Sequence, residues 1–77
     1  MNKARREQLQ KAYDLLQEAM DIVETVKDEE QDARDNMPEN LQESERAYQM
    51  DENVDNLDSA YTSIDEAMSV VDDVLNC

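Results

Sequence analysis

The sequence contains no glycine, no tryptophan and no phenylalanine, and it has only one proline in 77 residues. A β fold needs glycine-rich turns and strands rich in β-branched and aromatic residues, so this composition excludes one. Glutamate, glutamine, alanine, leucine and methionine are abundant instead, and these residues favour helix. A chain this short forms one domain with a marginal core, which needs either idealised helix packing or self-association for support.

The sequence also contains no histidine, and Cys77 is its only cysteine. Without histidine there is no Glu-x-x-His motif of the ferritin-like carboxylate sites and no partner to activate the thiol. There is no glycine-rich phosphate loop and no serine beside a base. We therefore expect neither enzymatic activity nor a bound cofactor.

The acidic stretch from Asp28 to Glu39 follows in part the ligand spacing of a calcium-binding EF-hand loop. Ala33 stands where that loop requires glycine for a sharp turn, and Asp35 stands where an apolar residue is usual. We interpret the stretch as a solvated acidic helix end and expect no metal site.

Basic residues are scarce, with 7 against 21 acidic residues and a net charge of −14. Such a chain repels phosphates and anionic lipids, so we expect no direct contact with nucleic acid or membrane, whereas a basic protein surface would be attracted. No apolar run approaches the roughly 20 residues of a membrane span, and Met1–Gln10 lacks the apolar core of a secretory signal. With a single cysteine, these features predict a cytoplasmic protein.

The last part of the chain carries an unbroken heptad pattern. Steps of three and four residues alternate along Ala47, Met50, Val54, Leu57, Tyr61, Ile64, Met68, Val71 and Leu75. Only a helix places such a series on one stripe. A second helical pattern comes before it, formed by Leu9, Ala12, Tyr13, Leu16, Ala19, Met20, Val23 and Val26.

Two helices of similar length and a short connection predict an all-α, antiparallel two-helix hairpin resembling a coiled coil. We expect one domain, with a helix over about 3–35, a turn at 36–43 and a helix over about 44–75. Pro38 disfavours helical geometry in the preceding residue, Ser44 is suited to cap the second helix, and Leu41 is expected to pack under the turn.

Folding the chain about residue 40 predicts which residues face each other. It sets Val26 against Val54 and Ala33 against Ala47, and it leaves Glu30 opposite Met50 as a poor layer. The same arrangement brings two charged clusters together, each at the unfavourable end of its own helix dipole: Lys3, Arg5 and Arg6 beside Asp72 and Asp73. A parallel arrangement would leave both clusters unfavourable.

Apolar residues beside the main seam predict self-association. Leu15, Ala19, Ile22 and Ala67 would remain exposed in a single hairpin. We therefore expect a homodimer that forms a four-helix bundle, strengthened by salt because like-charged copies repel. A single long helix in an extended coiled coil is disfavoured by Pro38.

The second helix has an acidic face. Eight acidic residues and no basic residue follow Arg46, and one line along the helix contains Asp51, Asp55, Asp58, Asp65 and Asp72. Exposed helices usually mix signs and gain ion pairs between residues four apart, which this helix forgoes. Two interpretations remain open. The face imitates nucleic-acid phosphates and binds a basic partner, or it is an ordinary solvated face on a structural or adaptor homo-oligomer.

The central segment Asp28–Arg46 resembles small acidic helical proteins of phages and integrative elements of low-GC Gram-positive bacteria, which share a pattern like DEEQ…DN-(L/M)-PE-x-LQ-x-SER. The resemblance implies no enzymatic activity. It implies a mobile-element protein in the cytoplasm of a bacterial host, where small acidic proteins inhibit host defence or nucleic-acid enzymes, as anti-CRISPR proteins do. It also makes the tip residues Glu39, Asn40, Gln42 and Arg46 candidates for partner contact.

Overall fold

The computed structural model describes residues 1–77 as two long helices joined by a turn. Helix α1 spans Lys3–Asp35, a 3-10 turn spans Glu39–Leu41, and helix α2 spans Glu45–Leu75. There is no strand. The helices pack side by side in antiparallel directions and form a rod 60 Å long and 14 by 13 Å across. The all-α hairpin predicted from the sequence is confirmed.

Asparagine residues flank helix α1 at both ends, Asn2 before its first residue and Asn36 after its last. The side-chain oxygen of Asn2 accepts a hydrogen bond from the backbone N–H of Arg5 at 2.9 Å, which satisfies one of the free donors of the first turn. At the other end, the backbone N–H and the side-chain amide of Asn36 both donate to the carbonyl of Asp32, at 3.0 and 2.8 Å. Pro38 follows shortly and cannot extend the helix.

Ser44 precedes the first residue of α2, and its hydroxyl oxygen accepts a hydrogen bond from the backbone N–H of Ala47 at 3.2 Å. The predicted N-cap is therefore confirmed. Leu41 is 42% exposed, so the expectation that it packs under the turn is wrong. Gln42 takes the inner position instead, because its side-chain amide donates to the carbonyl of Met37 at 2.7 Å and holds the turn together.

The interface follows the predicted seam on α2, where Ala47 and Met68 are the two fully buried residues of the chain. On α1 it departs from the prediction beyond Val23. The half-buried positions continue in heptad steps through Lys27, Glu30, Arg34 and Met37, whereas Val26 and Ala33 are exposed. The heptad spacing explains the difference, because only a step of four from Val23 keeps the stripe facing α2. Long side chains such as those of Lys27 and Arg34 cover apolar surface with their stems.

The register also differs from a fold about residue 40, which would set Asn53 opposite Lys27 and Met50 opposite Glu30. Instead, Lys27 contacts Asp58, and the amide of Asn53 donates to the carboxylate of Glu30 at 2.8 Å. The expected pairs of Val26 with Val54 and Ala33 with Ala47 are wrong, since Val26 and Ala33 lie outside the seam.

The open end of the hairpin brings part of the two charged clusters together, and neither Arg5 nor Asp73 forms an ion pair there. Arg6 donates to the backbone carbonyls of Leu75 and Cys77, at 2.5 and 2.8 Å, and so satisfies acceptors at the end of α2. Lys3 and Arg6 line one groove together with Asp72. The positively charged Arg6 therefore lies against the C-terminal end of α2, which is the negative end of its dipole.

We expect Arg6→Ala to lower the free energy of unfolding by about 1 kcal/mol, because the carbonyl groups of Leu75 and Cys77 lose a charged hydrogen-bond donor. Urea unfolding followed by circular dichroism measures the loss. Arg5→Ala is the matched control, since the Arg5 side chain is exposed and forms no ion pair, and its expected effect is within about 0.5 kcal/mol. Equal losses of stability in both variants would contradict a stabilising role for the hydrogen bonds of Arg6.

Candidate protein-binding face

The acidic line of α2 is fully on the surface. All five of its carboxylates belong to exposed residues: Asp51, Asp55, Asp58, Asp65 and Asp72. No basic residue of α2 lies among them. We call this set the acidic row.

Two members of the acidic row form ion pairs across the hairpin. Arg34 donates to both carboxylate oxygens of Asp51, at 2.9 and 3.4 Å, and Lys27 lies 3.2 Å from Asp58. No ion pair forms within α2 itself, as the sequence predicts, and α1 supplies the cations that α2 lacks. Asp51 and Asp58 therefore link the two helices of the hairpin while remaining exposed on its surface.

The other three members, Asp55, Asp65 and Asp72, form no ion pair. Asp72 nevertheless shares a groove with Lys3 and Arg6, which reduces the negative potential around it. Asp55 and Asp65 are thus the carboxylates of the row that are most available to a basic partner.

The tip places the four candidate contact residues in different surroundings. Glu39 and Asn40 are exposed in the 3-10 turn. Arg46 is exposed as well and lines a groove with Met37, Leu41 and other residues of the turn. Gln42 is half-buried, and the expectation of its exposure is wrong because both its amide and its carbonyl groups bond within the hairpin.

Arg34 is the residue that sequence reasoning missed. Its side chain, 16% exposed, contacts Asp51 and also donates to the side-chain oxygen and the backbone carbonyl of Gln42. It therefore joins α1, the turn and α2 at one point. The signal that would have found it is its place in the heptad series that continues from Val23, where an arginine opposite an acidic helix predicts a cross-helix pair.

Residues 28–35 belong to helix α1, so the loop that an EF-hand requires is contradicted by the fold. No three acidic or cysteine side chains lie close enough together to hold a metal ion. Neither helix contains a segment that is both long and apolar enough to cross a membrane.

Searches against protein-family models, curated proteins and solved structures found no match to this chain.

Proposed function

We propose that this chain is a non-enzymatic protein-binding protein whose acidic row engages a basic groove on a nucleic-acid-binding protein. The partner is defined by its chemistry, namely lysine and arginine side chains arranged to grip phosphates. Binding of the acidic row would occupy that groove and inhibit the partner.

The unpaired carboxylates on a rigid helix are the observation that carries this proposal. Two of them, Asp65 and Asp72, lie seven residues apart, which is about 10.5 Å along a helix. Three nucleotide steps of a strand cover about the same distance. Because the helix fixes these carboxylates before binding, little conformational entropy is lost on contact.

The biological setting rests on the resemblance of Asp28–Arg46 to small acidic proteins of phages and integrative elements. In that setting the chain would act in the cytoplasm of a bacterial host as an anti-defence factor, in the manner of an anti-CRISPR protein. Glu39, Asn40 and Arg46 at the tip would extend the contact beyond the acidic row, since all three are exposed.

A structural or adaptor homo-oligomer is the second candidate function. The ion pairs of Asp51 and Asp58 favour it, because they show that part of the acidic row stabilises the hairpin itself. In this case the remaining carboxylates only keep the surface hydrated.

Reversing the two most available carboxylates separates these candidates. Asp55→Lys with Asp65→Lys leaves both cross-helix ion pairs in place, and it should weaken capture of a basic partner by about 100-fold. Capture from a Gram-positive bacterial lysate measures the effect, and the captured protein is identified by mass spectrometry. Binding should also fall steeply with salt, and added DNA should compete.

The matched control is Glu18→Lys with Glu66→Lys, which makes the same change in net charge at exposed residues outside the row. This control should capture the partner as the unmodified chain does. If the Asp55→Lys, Asp65→Lys variant captures the same partner with unchanged affinity, phosphate imitation is excluded and the adaptor function is favoured.

A further inference from the structure

One long side of the hairpin carries no charged residue over much of its length. On α1 it consists of a row of mostly bulky side chains, Leu15, Ala19, Ile22 and Val26. On α2 it consists of a row of small or aliphatic side chains, Asn56, Ala60, Ser63, Ala67, Val70 and Val74. Steps of three and four residues keep each row on one line of its helix. We call the two rows together the uncharged face.

The two rows lie on the same side of the hairpin, because Val26 and Asn56 line one groove between the helices. This face is well exposed in the hairpin, with Leu15 at 55%, Ile22 at 64% and Val70 at 63%. Only two of the 77 residues are buried, and eight large hydrophobic residues of a single hairpin are exposed. Contiguous apolar surface of this kind marks an interaction site.

We propose that the uncharged face is the docking surface for a second copy of this chain, and that the two hairpins form a four-helix bundle around a two-fold axis parallel to the rod. Charge is the first argument. Each copy carries a net charge of −14, and acidic residues line the other long sides. Two copies therefore approach with the least repulsion through the uncharged faces.

Shape is the second argument, and it favours a copy of the chain over an unrelated helix. A two-fold axis along the rod sets α1 of one hairpin against α2 of the other. The bulky row of Leu15, Ile22 and Val26 then meets the small residues Ala60, Ser63 and Ala67 of the partner copy, and the same contact repeats on the other side of the axis. Large side chains against small ones give close packing without voids.

The ends of the helices also match in this arrangement. The basic first turns of α1 lie beside the acidic last turn of the partner copy's α2, which is the relation that Arg6 already exploits within one hairpin. Neighbouring helices remain antiparallel throughout the bundle, so that their dipoles offset one another.

The area of the uncharged face is that of a small dimer interface. The α2 row spans residues 56–74, which is about 27 Å of helix, and the α1 row spans residues 15–26, which is about 17 Å, each on a helix about 10 Å wide. The face therefore covers about 440 Å² on each copy and about 880 Å² in the pair, which is at the low end of protein–protein interfaces. The acidic row points away from this contact, so the dimer stands independently of the proposed partner binding.

Sedimentation equilibrium on the full chain at micromolar concentration tests the proposal, with a mass twice the monomer's 8.9 kDa expected. Ile22→Glu places a carboxylate at the centre of the contact on both copies and should raise the dissociation constant by about 100-fold or more. Ser69→Glu adds the same charge at an exposed position in a gap of the acidic row and should leave the dimer nearly unchanged. A helical monomer for the unmodified chain, or an Ile22→Glu variant that dimerises as well as Ser69→Glu, overturns the proposal.

Thiol labelling locates the contact without placing a charge in it. In a chain carrying Cys77→Ser, a cysteine introduced by Ala67→Cys should react more slowly as protein concentration rises, because the second copy covers it. A cysteine introduced by Ser69→Cys, two residues away and on the acidic face, should react at a constant rate. Protection at position 69 and not at position 67 would overturn the proposed face. Added salt should lower the dimer dissociation constant by screening the repulsion, and a rise with salt would also overturn it.

Discussion

Replacing Met68 by alanine is expected to lower the free energy of unfolding by about 3 kcal/mol. Met68 is 5% exposed, and Ala47, the other fully buried residue, has almost no side chain to remove. Met68 is thus the most deeply buried large side chain of this hairpin. Small domains have only about 5–15 kcal/mol of stability in total, so this single truncation would remove a large share of it.

Urea unfolding followed by far-ultraviolet circular dichroism measures this effect, with the proteins compared at equal concentration because self-association adds to apparent stability. Tyr48→Ala is the control. Tyr48 is 57% exposed on the same helix, and its truncation should change the free energy of unfolding by no more than about 0.5 kcal/mol. Similar losses in the two variants would show that Met68 is not a centre of the core.

The helices and the turn between them were predictable because their signals are local. The heptad series from Ala47 to Leu75 specifies one long helix, and Pro38 followed by the capping residue Ser44 specifies a break before it. Similar helix lengths then leave the antiparallel hairpin as the simplest arrangement. None of these inferences requires knowledge of distant contacts.

The register between the helices and the α1 seam after Val23 were not predicted, since hydrophobicity alone assigned the wrong residues to the seam. Val26 and Ala33 are apolar but exposed, whereas Lys27, Glu30 and Arg34 are charged and half-buried. Charged side chains belong in the seam here because the opposite helix supplies partners for them. A pattern search that counts only apolar residues cannot detect such positions, although the heptad spacing continues through them.

The acidic row was predictable as a set of positions, but the roles of its members were not. Asp51 and Asp58 pair with cations of α1, and this pairing depends on the register between the helices. The same dependence explains Gln42, which belonged to the recognisable tip segment and lies half-buried because Arg34 reaches it. Availability to a partner is therefore a property of the folded hairpin and cannot be deduced from charge spacing.

Replacing Arg34 by alanine is expected to lower the free energy of unfolding by about 2 kcal/mol. The change removes a bidentate ion pair with Asp51 and both hydrogen bonds to Gln42. The Arg34 side chain that makes these contacts is only 16% exposed. Because these bonds join the turn to both helices, amide hydrogen exchange in residues 36–43 should accelerate more than exchange in the middle of either helix.

Arg46→Ala provides the matched control, since Arg46 lies at the same tip but is exposed and forms no ion pair. Its expected effect is within about 0.5 kcal/mol. A double-mutant cycle with Asp51→Ala then measures the coupling between Arg34 and Asp51, which should be about 1 kcal/mol. Strictly additive losses would mean that the Asp51 carboxylate is as available to a partner as Asp55 and Asp65, and Asp51 would return to the set of contact residues. Coupling of the expected size assigns Asp51 to the structure of the hairpin and leaves Asp55 and Asp65 as the carboxylates through which a basic partner would be bound.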